Sequence, residues 1–192
     1  MKKIILASKS PRRKQILQQV GLEFIIAVSA FDETQVKFKT PQEMVKKLSL
    51  EKAKIIAGKN PGAVIIGADT TVLYKNEIIG KPTSKQDAVR ILKLLSGNIH
   101  EVVTGFTVMQ GKKSITKHVT SKVKFKQLSE AEIKAYVATG EPMDKAGGYG
   151  IQDKGGLFVE DIQGDYFNVV GLPIFAVSEV LKQFGVEITK EW

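Results

Sequence analysis

Residues 4–17 read IILASKSPRRKQIL. An apolar run, a loop of small polar residues and a proline-led series of helix formers follow one another here without a break. The pattern predicts a short strand from about Lys3 to Ala7, a loop Ser8-Lys9-Ser10 and a helix from about Pro11 to Val20. Proline suits the first helical position, where its missing N–H costs nothing, and Gly21 suits the stop. Ile16, Leu17 and Val20 form the apolar stripe of this helix. Arg13 lies on the same stripe one turn earlier, with Arg12 at its margin. Two arginines at a helix start oppose the macrodipole, an arrangement that becomes favourable when an anion binds there. Strand, small-residue loop and arginine-bearing helix start together outline a phosphate site. Neither a Walker sequence nor GxGxxG is present, so the site is of neither P-loop nor Rossmann type.

Apolar runs and helical patterns alternate along the rest of the chain, as in an α/β or α+β domain. A strand is predicted near Phe24–Ser29. A second helix runs from about Pro41 to Ala57, with Thr40 and Glu43 at capping-box spacing and Gly58 closing it. Residues 63–67, AVIIG, read as a buried strand, and TVLYKNEII as a hairpin turning at Lys75-Asn76. A third helix spans about Lys85–Leu95. Two long strands, His100–Gln110 and Ile115–Gln127, form a hairpin through GKKS. A fourth helix follows Ser129 and stops before Gly140. A glycine-rich stretch comes next, then a hairpin through Gly164 and a last helix from about Pro173 to Phe184. No repeat or linker divides the chain, so residues 1–192 are expected to form one domain.

Composition narrows the chemistry. There is no cysteine and only two histidines, His100 and His118, which excludes thiolate and three-histidine metal sites. A catalytic metal would sit on oxygen ligands, which suits Mg2+ or Mn2+. No apolar run approaches the roughly 20 residues of a membrane span, and the apolar run Ile4–Ala7 is too short for a signal peptide. The protein is therefore expected to be cytoplasmic, with no membrane partner. The net charge of +9, from 29 basic and 20 acidic residues, favours an anionic partner. Residues 1–20 hold Lys2, Lys3, Lys9, Arg12, Arg13 and Lys14 and no acid. A solvated basic face is the plain alternative.

Several residues break their local pattern. In the second helix Met44, Val45, Leu48, Ile55 and Ile56 share a face, and Lys52 falls in the middle of it. Lysine is almost never fully buried without a partner. Either its stem packs on the core while the ammonium reaches water, or Lys52 points from a cleft wall at an anion. Asp69 follows the apolar run AVIIGA, at the strand end where α/β folds place ligands; an aspartate capping a turn is the alternative. Lys81, in GKP, is a surface lysine or an anion contact. Asp32 and Glu33 are an acidic pair past a strand. Residues 144–156, DKAGGYGIQDKGG, are too rich in glycine for helix or regular strand. Such a segment lets backbone N–H groups approach a ligand. Tyr149, Ile151 and Gln152 argue that it is ordered, and the Gln152 amide could read a base edge. The stretch DIQGDYFNVVGLP, with Asp165 and Tyr166, reads as scaffold.

Taken in order, ILASKSPRRKQIL, EKAK (Glu51–Lys54), GADT (Gly67–Thr70), GKP, LSG (Leu95–Gly97), GEPMDKAGGYGIQ (Gly140–Gln152) and VVGLP (Val169–Pro173) resemble the Maf family of nucleoside triphosphate pyrophosphatases. The resemblance covers the chain from Ile4 to the final helix. It implies an α/β, inosine triphosphate pyrophosphatase-like fold: an extended twisted mixed sheet flanked by helices, with two lobes and a positive cleft between them. It implies hydrolysis between the α- and β-phosphates with a divalent metal, Mg2+ or Mn2+. It makes Asp69 the proton acceptor and ties Arg12, Thr70 and Gln152 to substrate choice. Ser8, Arg13, Lys52 and Lys81 match phosphate-facing positions, and Glu33 joins Asp69 as a metal ligand. SPRR, GADT and GYGIQ place the chain with the members that act on dTTP and UTP, modified pyrimidine nucleotides remaining open. Asp153 departs from the glycine common after the glutamine and adds negative charge beside the pocket.

Two other readings compete. One is a nucleotide-binding regulator of cell division without turnover, which would gain nothing from Asp69 beside the phosphates. The other is a nucleic-acid binder. Single-strand binders interleave basic residues with stacking aromatics, and the basic N-terminal segment has no aromatic before Phe24, so no nucleic-acid partner is expected. The sequence leaves a monomer and a homodimer both open.

Overall fold

The computed structural model describes residues 2–28 and 30–191. Its strands are β1 (Ile4–Ala7), β2 (Ile25–Ile26), β3 (Val64–Tyr74), β4 (Glu77–Ile79), β5 (Ile99–Gln110), β6 (Lys113–Phe125) and β7 (Val159–Gln163). Its helices are α1 (Pro11–Gln19), α2 (Pro41–Lys59), α3 (Lys85–Leu95), α4 (Glu130–Ala138), α5 (Tyr166–Val170) and α6 (Ile174–Lys182). The strands make one mixed sheet in the order β2-β1-β3-β5-β6-β7, with β4 on β3. β1 lies parallel to both β2 and β3, whereas β3–β4 and β6–β7 are antiparallel. This is the α/β class with a mixed sheet that the resemblance implies.

Helix starts follow side-chain chemistry. Thr40, Ser84 and Ser129 each accept the N–H three residues on, from Glu43, Asp87 and Glu132. At α4 the capping box is complete, because the Glu132 carboxylate also accepts from the Ser129 N–H at 2.8 Å. The β3–β4 turn is where the sequence puts it. Lys75 (φ 50°) and Asn76 (φ 66°) both adopt the left-handed region that a two-residue hairpin requires.

Three expectations are corrected. β3 is one strand of 11 residues, not a short strand followed by a separate hairpin arm. The strand predicted over Phe24–Ser29 is reduced to two residues, and Ser29 itself lies outside the described residues. The chain after Gly164 is no hairpin: it turns directly into α5. Asp165 caps that helix, accepting the Phe167 N–H at 2.8 Å, so the local polar residue favours a helix start over a returning strand.

The chain forms two compact units. The first comprises residues 1–69, 104–119 and 171–192. It contains β1, α1, β2, α2 and α6, and one of its cores joins Ile5, Ala53, Ile56, Ile65 and Met109. The second comprises residues 70–103 and 120–170, with a core built on Ile91, Leu92, Leu95, Phe125, Ile133 and Phe158. β3, β5 and β6 contribute residues to both. Among the described residues no helix is long and apolar enough to cross a membrane.

Candidate active site

In the first unit, glycine sets the distance between α2 and the sheet. A Cβ on Gly67 would lie 2.3 Å from the Ser49 carbonyl oxygen, and one on Gly105 would lie 2.4 Å from the Val45 carbonyl. Both glycines let the helix backbone rest directly on β3 and β5. Buried hydroxyls fix the helix there. Ser49 Oγ lies 3.0 Å from Thr107 Oγ1, which lies 2.8 Å from Thr116 Oγ1.

Lys52 sits one turn beyond Ser49. Side chains alternate along a strand, so Asp69 shares the face of Gly67, the face that α2 covers. The result is a short ion pair: Lys52 Nζ donates to Asp69 Oδ1 at 2.7 Å. The same ammonium lies 2.8 Å from Glu33 Oε1. Lys52 and Asp69 are each 14% exposed by side chain, against 55% for Glu33. Lys52 therefore neither snorkels to water nor stands as an open cation; it bridges two carboxylates. The predicted acidic pair divides its work. Glu33 faces Lys52, while Asp32 caps the short turn Glu33–Gln35 and accepts from Thr34 and Gln35. Those hydrogen bonds hold the Asp32 carboxyl below its usual range.

Asp69 lies inside β3 rather than at its end, which corrects the sequence reading. Asp69 nevertheless lies beyond the part of the strand paired with β1. The pairing of β1 with β3 ends at Ala7 opposite Gly67, so β3 outruns its neighbour by the time it reaches Asp69. Burial along β3 is continuous except at Asp69-Thr70 and at its last residue.

Arg13 braces the end of β1. Its Nη1 donates to Ser8 Oγ at 3.1 Å and to the Ala68 carbonyl at 2.9 Å, and its Nε donates to the Gly171 carbonyl at 2.8 Å. Burial pushes the guanidinium below its usual value; Asp69 pulls it back up, Arg12 pushes it down and Glu33 raises it. Two of its nitrogens are thus committed to the protein itself, which places Arg13 as the strut that orients Ser8 and the residue before Asp69. Gly171, with φ 123°, is the glycine of VVGLP, whose partner the sequence does not reveal. Ser8 is 8% exposed and also accepts the Ser10 N–H. Arg12 sits beside Arg13, at the capped start of α1.

The second unit holds Thr70, Lys81 and Gln152. Thr70 follows Asp69 on β3, and the strand period puts it on the opposite face. The glycine-rich segment is ordered, as Tyr149 and Ile151 suggest. Gly147 donates to the Gly80 carbonyl at 3.0 Å, which ties the segment to the turn carrying the exposed Lys81. Gly147 (φ 72°) packs on Val72, where a Cβ would come within 2.9 Å of the valine side chain. From beneath, the Tyr136 hydroxyl accepts the Gly150 N–H at 3.1 Å and donates to Glu141 at 2.7 Å. Gln152 ends this cradle with its Oε1 buried and without a partner among the described residues. The charge of Asp153 is offset, since its carboxylate lies 3.8 Å from the buried Lys145 ammonium.

Tyr149 anchors the segment through His100, with Nε2 and the phenol oxygen 2.8 Å apart. Both are buried, and both meet Phe125 edge-on. Burial pushes the His100 pKa down from 6.5 to about 4. The unfolded chain therefore takes up its proton first as pH falls. Stability is expected to decline as pH drops from about 6.5 towards 4, by about 2 kcal/mol between pH 7 and 5. Urea unfolding of wild type and His100→Gln at both values checks this. A wild-type loss no larger than that of the variant would exclude His100 as the source.

The model of the Maf-like protein family matches residues 3–184, and the chain belongs to that family. A dTTP/UTP pyrophosphatase of Bacillus anthracis is 49% identical over 189 residues, covering 98% of this chain and 99% of the relative. One of Bacillus cereus is 48% identical, covering 98% and 93%. Among solved structures, a HAM1 protein from Coxiella burnetii aligns with 65% of this chain and 73% of its own at 15% identity and a TM-score of 0.45.

Proposed function

We propose that this protein hydrolyses dTTP and UTP between the α- and β-phosphates, releasing the nucleoside monophosphate and pyrophosphate. The observation that carries this reading is Asp69: a carboxylate on β3, flanked by the Lys52 ammonium and held beside the guanidinium-braced end of β1. Its support from relatives is their name, dTTP/UTP pyrophosphatase, at nearly half identity over almost the whole chain. A binder without turnover has no use for such a carboxylate next to a polyanion, which disfavours the regulator reading.

The donor set suits a divalent metal. Asp69 and Glu33 already hold one cation, the Lys52 ammonium, between two carboxylate oxygens. Among the described residues no cluster of three or more histidine, cysteine or acidic side chains could hold a metal. Two oxygen ligands match Mg2+ or Mn2+, which keep waters and are completed by substrate phosphates. When bound, such an ion neutralises the charge that develops on the phosphates. The other tasks fall to the chain. Asp69 accepts a proton from the attacking water as the new P–O bond forms and the bridging P–O bond breaks. Arg12 and Lys81 supply positive charge to the phosphates, and Ser8 donates from a position fixed by Arg13. Positioning and charge neutralisation are most of what phosphoryl chemistry needs.

Base choice falls to Gln152, whose orphaned Oε1 seeks a donor. A uracil-type edge offers a donor and acceptors, and discrimination through such bonds reaches about 1–3 kcal/mol each. In a kcat/KM comparison with Mg2+ or Mn2+, dTTP and UTP are expected to exceed GTP and 7-methyl-GTP by at least about tenfold. Gln152→Ala is expected to erase that preference while kcat for a poor substrate is kept. A preference for 7-methyl-GTP would overturn the pyrimidine assignment and leave the pyrophosphatase reading in place. Absence of pyrophosphate release from every triphosphate would overturn the reading itself.

A further inference from the structure

Lys52 holds the position between Asp69 and Glu33 that a divalent ion would take. Its ammonium is within 2.8 Å of an oxygen of each carboxylate, and the side chain is largely shielded from water. Two positive charges cannot share that space at low cost: at about 4 Å, even with a surface-like dielectric, like charges repel by several RT. A second anion at the site would draw the ammonium away from the carboxylates. A triphosphate is such an anion, and it also supplies the oxygens a metal needs beyond the two carboxylates.

We propose that Lys52 is a built-in counter-cation that keeps the ligand-free site closed to metal, and that the metal enters only with the nucleotide, to whose phosphates Lys52 then transfers. The proposal rests on the pyrophosphatase reading through Asp69 and Glu33 as metal ligands. It joins two facts that otherwise conflict. The family resemblance makes Lys52 a phosphate contact, whereas the structure pairs it with carboxylates. It also makes Glu33 the mobile jaw of the pair. Glu33 stands on a short exposed turn, whereas Asp69 is fixed in the sheet.

Metal binding to the full-length protein without nucleotide tests it, with the free Mn2+ electron paramagnetic resonance signal as readout. Lys52→Met keeps the stem and removes the charge, and is expected to bind Mn2+ at least about tenfold more tightly than wild type. Lys52→Gln serves the same comparison if the methionine variant does not fold. In wild type, a non-hydrolysable α,β-imido analogue of dTTP is expected to raise the Mn2+ affinity, and Mn2+ to raise that of the analogue by the same factor. Mn2+ binding by a folded Lys52→Met no tighter than wild type would overturn the counter-cation role and leave Asp69 as a ligand untouched. A gain that persists in Lys52→Met/Asp69→Asn would instead show that the metal goes elsewhere, and would overturn the ligand assignment.

Discussion

Asp69→Asn is expected to lower kcat by at least about 10²-fold while the protein stays folded, since the change removes a base, a metal ligand or both. The fold should survive because the neighbouring cations keep other partners. Lys52 retains Glu33 at 2.8 Å, and Arg13 retains the Ala68 and Gly171 carbonyls and Ser8. In the absence of divalent metal, nucleotide affinity should not fall, because a polyanion approaches a site that has lost a negative charge. Turnover of dTTP, together with calorimetric titration of a non-hydrolysable analogue, separates the two quantities. Turnover within a few-fold of wild type in the folded variant would remove Asp69 from the chemistry. Loss of analogue binding with the fold intact would show that the carboxylate organises the nucleotide site instead.

Gly67→Ala is the second large effect, and it acts through distance rather than charge. The new methyl would meet the Ser49 carbonyl at 2.3 Å and the Ala53 backbone nitrogen at 3.2 Å. Neither is the tip of a flexible side chain, so α2 must move as a body. Overpacking of this kind costs about 1–3 kcal/mol. It also lifts Lys52 away from Asp69, so kcat should fall by at least about tenfold as well, since small misplacements at reacting groups are magnified in rate. Gly58→Ala is the control, because nothing lies within 4 Å of a Cβ there. It should be neutral or slightly stabilising. Thermal unfolding and dTTP turnover of both variants give the comparison. A Gly67→Ala protein with wild-type Tm would mean that α2 can yield without loss.

Much of this could be read from the chain, for identifiable reasons. Helix starts are legible because Thr40, Ser84 and Ser129 act within three residues of themselves. The Lys75-Asn76 turn is legible because backbone sterics favour few residue types there. Lys52 declares itself by interrupting an apolar stripe. Features decided by distant partners are not legible. Gly67 and Gly105 look like ordinary strand glycines until α2 is laid across them. Nothing near Gly171 announces that its carbonyl receives Arg13. His100 is one histidine in a strand, and its pairing with Tyr149 exists only after the sheet and the glycine-rich segment meet. The end of β3 was misplaced because a buried strand interrupted by Asp69-Thr70 looks like two strands. The helix after Gly164 was misread because Asp165 serves a turn and a helix cap equally well.

The brace from Arg13 to Gly171 spans 158 positions of the chain. During synthesis the N-terminal elements emerge first and wait. Asp69 and Lys52 can meet once about a third of the polypeptide is made. The strut that fixes Ser8 and the Ala68 carbonyl beside them is completed only when residue 171 has appeared, and the tie from Lys2 to the Phe184 carbonyl comes later still. A chain that stops short of residue 171 thus carries the Lys52–Asp69 pair without the full frame around Ser8 and the Ala68 carbonyl. Until residue 171 has been made, the Arg13 guanidinium lacks the carbonyl that completes its brace.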